Sequence, residues 1–243
     1  QIHAGESKGV CWARHHLQQL WEGEEYSLQI DSHMRFVQGW DSRMIEMLQK
    51  CPGDKAVLST YPPHYTPPST LNEGYITVIR PSHFDEWGTL LFESQYIPDN
   101  IAPELPVAGL FCGACFLFGP SRLIEEVPYD PHLYFFGEEV SLSARLWTCG
   151  WNIYHPNEIL LYHCWSREYR PTHWNDVKLA GEIDRASRER VNYLLSPGRE
   201  NGTSHIELGK YGLGTSRGLS DFEKSGGVSF ANRTISPRQD MFR

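Results

Sequence analysis

The chain has 243 residues, of which 40% are hydrophobic and 13% aromatic, with a formal net charge of -8. That length supports one large core, or a core with a small appendage, and that composition excludes a disordered chain. The acidic balance argues against nucleic acid as a partner, because phosphate backbones recruit basic surfaces.

Apolar residues at helical spacing over residues 8–22, among them Trp12, Leu17, Leu20 and Trp21, predict an opening helix. The stretch "EEYSLQIDSHMRF" follows, where Tyr26, Leu28 and Ile30 predict a strand running into Asp31 and His33. A turn capped by Asp41 should lead to an amphipathic helix carrying Met44, Ile45, Met47 and Leu48, halted at Pro52-Gly53. "KAVLSTYP" is β-rich, whereas "YPPHYTPPST" is expected as a stiff loop, since proline has no N–H for a ladder. "GYITVIRPS" and "PVAGLFCGACFLFGPS" read as strands, and "RLIEEV" as a short helix.

Further along, Val140, Leu142, Leu146 and Trp147 share one face of a helix that Gly150 should stop. "NIYHP" and "EILLYHCW" are short strand-like runs. The charged, amphipathic text over 174–195 predicts one more helix, ended by Ser196-Pro197-Gly198, with an irregular tail after it. Strands alternating with helices in this order predict an α/β layered fold with a mixed sheet. We therefore expect a core over residues 1–173 and a C-terminal helix and tail, residues 174–243, packed on it. No run of about eighteen apolar residues is present and no charged-then-apolar leader opens the chain, so neither a membrane span nor a signal peptide is expected. No strand and no glycine-rich turn precede the first helix, so a nucleotide pocket of the open-sheet kind would lack its usual first βα turn.

The six cysteines read as buried thiols. Cys112 and Cys115 have CxxC spacing, but no second Cys/His pair stands at zinc-site distance, and a packed strand is the expectation.

Three sets of residues carry candidate chemistry. Asp31 and His33 are two apart, so in extended chain they project from one face, a carboxylate beside an imidazole. The bland alternative makes Asp31 a turn cap and His33 a surface residue. His163 ends another apolar run and would complete a cluster of one carboxylate and two imidazoles, with His155 as a weaker rival. Such a donor set leaves coordination positions open for substrate oxygens and suits Mn²⁺, with Mg²⁺ the harder alternative. It is also the donor set of a non-haem Fe(II) oxygenase, although those triads read H-x-D and this one reads D-x-H. Glu138 and Glu139 stand in the first turn of a helix behind Tyr134, Phe135, Phe136 and Gly137, either complementing the helix dipole or presenting an acid to a sugar hydroxyl. Arg14 is either a solvated charge or a phosphate ligand.

The stretches "KGVCWAR", "YSLQIDSHMRFVQGWD", "FCGACFLFGPSRLIEEVPYDPHLYFFGEEVSLSARLWTCGWNIYHP", "LLYHCWSR" and "KYGLGTSRGLSDFEKSGGVSF" resemble the polypeptide N-acetylglucosaminyltransferase family that modifies hydroxyproline on a cytoplasmic ubiquitin-ligase adaptor. They are more distantly similar to the mucin-type polypeptide GalNAc-transferases. The resemblance implies a GT-A type fold, a UDP-sugar donor, a divalent cation, a polypeptide acceptor and a cytoplasmic setting. It implies that Asp31, His33 and His163 are the metal ligands and that Glu138, with Glu139, meets the donor sugar. Arg14, Asp31 and Trp147 would sit on the nucleotide side. Phenylalanines stand where the distant family has a tryptophan and a glycine, and Glu139 where it has asparagine, so the choice of sugar is left open. The N-terminal strands that hold uracil and ribose in the family have no counterpart in the sequence. A non-catalytic glycosyltransferase-like binding module is therefore a further alternative.

Overall fold

The computed structural model describes residues 3, 6–168, 180–196 and 206–237. In chain order the elements are α1 (Val10–Gln18), β1 (Tyr26–Ile30), β2 (Met34–Phe36), α2 (Trp40–Gln49), β3 (Ala56–Ser59), β4 (Tyr65–Thr66), β5 (Thr70–Leu71), β6 (Tyr75–Phe84) and β7 (Leu90–Pro98). They continue with β8 (Val107–Gly109), β9 (Phe116–Pro120), α3 (Leu123–Glu126), α4 (Glu138–Thr148), β10 (Asn152–His155), β11 (Leu161–His163), α5 (Ala180–Leu195), α6 (Leu219–Gly226), β12 (Val228–Ser229) and β13 (Thr234–Ile235).

The central sheet has the order β1-β9-β3-β10-β8 and is mixed: β10 runs parallel to β3, and the other neighbours are antiparallel. All four residues of β3 are buried, as expected of a strand covered on both faces. Alternation along β3 divides the core: Val57 enters the cluster that holds α4, while Ala56 and Leu58 enter the one that holds α2. Met44, Met47 and Leu48 of α2 close the second layer with Phe116 and Phe118. The first layer joins Val140, Leu142, Ala144 and Leu146 of α4 to Val191 and Leu194 of α5 and Phe222 of α6. Helix, sheet and helix are thus stacked in three layers.

Several expectations are corrected. Helix α2 starts at Trp40 after a left-handed Gly39, and Asp41 lies within its first turn without a side-chain capping bond. The run over residues 106–121 is two strands, β8 on the sheet's edge and β9 between β1 and β3. Gly109, the last residue of β8, passes so close to the His155 ring that any side chain there would collide with it. The CxxC residues are therefore in the turn between strands, where Gly113 N–H donates to Ser59 Oγ at 2.9 Å and Cys112 N–H to Ser143 Oγ at 3.0 Å. The proline-rich loop contains the two-residue strands β4 and β5. Strand β7 was not anticipated; it forms a long hairpin with β6, separate from the central sheet. The tail holds α6 and the β12–β13 ladder rather than irregular chain alone. Within the expected helix over 174–195, residues 174–179 lie outside the described residues, as do Pro197 and Gly198 of its stop. No helix among the described residues is long and apolar enough to cross a membrane.

Phe222 is fully buried and joins the tail to the core, stacking on Phe230 and meeting Phe111 edge-on. Phe222→Ala should cost about 3–5 kcal/mol, the usual range for truncating a buried aromatic. Urea unfolding of both proteins measures it, and a change below about 1 kcal/mol would mean that the tail is not part of the cooperative core.

Candidate functional site

Two short ladders bring distant residues together. β11 pairs antiparallel with β2, placing His163 opposite Met34, the residue after His33. Backbone bonds lock this register: Cys164 N–H donates to His33 C=O at 3.1 Å, and His163 N–H to Pro63 C=O at 2.9 Å. As a result one oxygen or nitrogen from each of Asp31, His33 and His163 lies within 4.8 Å of the others.

Asp31 uses its two oxygens differently. Oδ1 accepts from Arg14 Nη2 at 2.9 Å, while Oδ2 stands 3.3 Å from His163 Nε2 and 3.9 Å from His33 Nε2. Burial opposes ionisation of Asp31, yet the His163 hydrogen bond and the Arg14 charge hold its carboxyl below the ordinary range. His163 is buried, and the Trp165 ring packs on it at 3.9 Å between centroids. Its Nδ1 has no hydrogen-bond partner among the described residues, so its polar anchoring is on the Nε2 side, toward Asp31.

These residues fit a divalent cation. Adjacent ligands on an ion with bonds of about 2.0–2.2 Å stand roughly 3–3.6 Å apart, close to the two separations from Oδ2. The carboxyl of Asp31, held ionised, is in the protonation state that metal binding requires of it.

Around this cluster opens a cleft of about 740 Å³. Helix α1 reaches it because Val10 N–H docks on Tyr134 C=O at 3.0 Å, which aims Arg14 inward. Arg14 is buried and its guanidinium bridges Asp31 and Glu138, so the fork expected to reach a nucleotide phosphate is occupied by two carboxylates. Burial works against its charge, but Glu138, Tyr129, Asp31 and Cys11 together more than offset this and the guanidinium stays protonated. Glu138 begins α4 after Gly137, whose left-handed φ of 85° and contact with Val191 leave no room for a side chain.

Glu139 faces the other way. Its carboxyl accepts the Tyr61 hydroxyl and, at 2.8 Å, the Ala114 N–H of the CxxC turn. Burial pushes this carboxyl up to about 7, although both hydrogen bonds favour the ionised form. Tyr61, which opens the stiff proline-rich loop read from the sequence, lines the cleft with Trp165, a residue that reading did not single out. The available signal for Trp165 was its place one residue past Cys164, beside the candidate ligand His163.

Two expected residues fall elsewhere. Trp147 does not line the cleft: its indole N–H donates to Gly218 C=O, and its ring packs against Arg217 and Phe222. That reflects the apolar α4 face it shares with Leu146, which the tail covers. His155 is fully buried in the sheet, with Nδ1–H donating to Ser59 C=O at 2.7 Å and Nε2 accepting from Ile79 N–H at 3.4 Å. Burial lowers it to about 4, so it is a neutral structural residue and no rival to His163.

A family model described as Glycosyltransferase (GlcNAc) matches residues 1–232. The fold is similar to that in a crystal structure of GalNAc-T7 with UDP, GalNAc and Mn²⁺, with a TM-score of 0.56 and 13% sequence identity, covering 92% of this chain and 42% of that one. The chain thus spans less than half the length of that structure, and the mixed α/β architecture they share is of GT-A type. No curated protein sequence matches.

Arg14→Met should destabilise the fold by about 3–5 kcal/mol, because it leaves Glu138 buried without its partner, and Arg14→Met with Glu138→Gln should recover much of that loss. Denaturant titration of the three proteins checks it; equal losses in the single and double variants would contradict the pairing. Glu139 gives a pH signature. Its folded value of about 7 exceeds the ordinary 4.5, so between those limits the folded chain keeps a proton that the unfolded chain has released. Stability should fall as pH rises through this window and fall less in Glu139→Gln. Melting curves from pH 4.5 to 8 that run parallel for the two proteins would refute it.

Proposed function

The chain belongs to the Glycosyltransferase (GlcNAc) family, and from that premise we propose that it moves N-acetylglucosamine, or a related sugar, from a UDP-sugar to a hydroxyl of a polypeptide. The observation that carries this reading is the convergence of Asp31, His33 and His163 on the same cleft as Glu138 and Glu139. Family membership sets aside the iron-oxygenase alternative that the donor set alone leaves open. The cleft volume of about 740 Å³ falls within the usual range for small-ligand sites.

In this reading Asp31, His33 and His163 hold a divalent cation, Mn²⁺ before Mg²⁺ because imidazoles supply two of the three donors. Bound there, the cation would neutralise charge developing on the β-phosphate as the anomeric carbon–oxygen bond breaks. Arg14 acts through Asp31: it engages Oδ1, so that Oδ2 is turned toward the imidazoles. Glu138 and Glu139 orient the sugar, Glu138 fixed by Arg14 and Glu139 by Tyr61 and the Ala114 N–H. The transfer retains anomeric configuration, so the acceptor proton passes to the leaving phosphate oxygen and no strong protein base is needed. Residues 1–173 form the catalytic core in this account, and of residues 174–243 the described segments 180–196 and 206–237 pack on it. The cytoplasmic setting rests on the sequence resemblance alone.

His163→Ala should lower Mn²⁺-dependent turnover of UDP-GlcNAc about a hundredfold, corresponding to on the order of 3 kcal/mol in the barrier, with an unchanged circular dichroism spectrum. Isothermal titration should show Mn²⁺ affinity falling in parallel. Wild-type turnover that ignores added Mn²⁺ and EDTA, or full activity in the variant, would sink the assignment. Mn²⁺ binding without any turnover of a UDP-sugar would instead favour a binding module.

A further inference from the structure

The wall of the cleft formed by β7 has an unusual lining. Leu90, Leu91, Phe92, Glu93, Ser94 and Tyr96 all contribute to it. Successive strand residues point to opposite faces, so a strand that offers five in a row to a cavity presents its edge. In its sheet β7 is paired with β6 alone among the described strands.

Which backbone groups stand on that edge follows from β6. Opposed residues in an antiparallel ladder alternate between pairs that exchange both hydrogen bonds and pairs whose N–H and C=O point outward. On β6, the Thr77 C=O accepts the Thr60 hydroxyl at 2.6 Å, and the Ile79 N–H reaches His155 Nε2 at 3.4 Å. Pro81, next in the alternation, has no N–H to donate. These three residues thus face away from β7, toward the body of the protein. Their opposites are Tyr96, Ser94 and Phe92, which must turn their own N–H and C=O away from β6, on the cleft side. Their spacing of two residues, about 7 Å, is the repeat of an extended peptide.

We propose that the acceptor polypeptide binds as an added strand on the edge of β7, pairing its backbone with Phe92, Ser94 and Tyr96. This rests on the polypeptide-acceptor reading and supplies its mode of recognition. Main-chain bonds of this kind give affinity, and side-chain contacts on alternate positions give specificity. An oligosaccharide or small-molecule acceptor has no matching series of donors and acceptors.

The test uses decapeptides that each carry one Ser, Thr or hydroxyproline, with UDP-GlcNAc, Mn²⁺ and the whole chain. On the best acceptor, each backbone amide near the modified residue is N-methylated in turn. Alternate positions should each lose about fivefold or more in kcat/KM, the value of one net hydrogen bond, while those between are tolerated. Ser94→Pro, which removes one outward N–H without touching the β6 ladder, should raise the peptide KM by a similar factor with its melting temperature close to wild type. Peptide transfer without any alternation, or with a Ser94→Pro KM unchanged, overturns the strand-addition mode and leaves the acceptor reading intact. Hydrolysis of UDP-GlcNAc with no transfer to any peptide overturns the acceptor reading, and strand addition with it.

Discussion

The candidate site depends on one backbone register. Asp31 and His33 are neighbours in sequence, but His163 lies 130 residues beyond His33, and it is the pairing of β11 with β2 that sets it opposite Met34. Side-chain period in a strand is two, so a slip of one residue would turn His163 to the other face and present Tyr162 or Cys164 instead. Bonds on both sides of the ladder, from Cys164 to His33 and from His163 to Pro63, resist that slip. The stiff proline text after Tyr61 thereby acquires a use: Pro63 C=O accepts the His163 backbone N–H and Pro62 C=O the Trp165 indole N–H.

Around that cluster the charges are arranged in two separate sets. Arg14 joins Asp31 to Glu138, and its charge, with the His163 hydrogen bond, holds the Asp31 carboxyl below the ordinary range. Glu139, one residue on, is turned from the arginine toward neutral donors, and burial raises it toward neutrality. Two adjacent acids at one helix start thus have different partners, a guanidinium for Glu138 and neutral donors for Glu139. Gly137 makes the arrangement geometrically accessible, since only glycine tolerates both its dihedral and the nearness of Val191.

Much of this was legible in the sequence. β1 and β3, α4 and the approach of β11 carry strong periodicity, and the D-x-H pattern with a distal histidine at a strand end identified the cluster that the fold assembles. What escaped was long-range or backbone-determined. Arg14 could be read only as a solvated charge or a phosphate ligand, because its two carboxylate partners are 17 and 124 residues away. Trp147, set on the nucleotide side by the resemblance, has its indole N–H taken by Gly218 C=O of the tail, a partner 71 residues away. β8 and β9 lie apart in the central sheet, on either side of β3 and β10, an ordering that no local propensity encodes. Strand β7 was missed although a turn ending at Gly88, with φ of 83°, separates it from β6.

The most direct measurement of the central claim is anomalous diffraction at the manganese edge from crystals of this chain grown with MnCl₂ and UDP. The account predicts a single strong peak within about 2.0–2.4 Å of an Asp31 oxygen and of one ring nitrogen each from His33 and His163. A peak elsewhere in the molecule, or none under conditions where UDP is seen in the cleft, would contradict it.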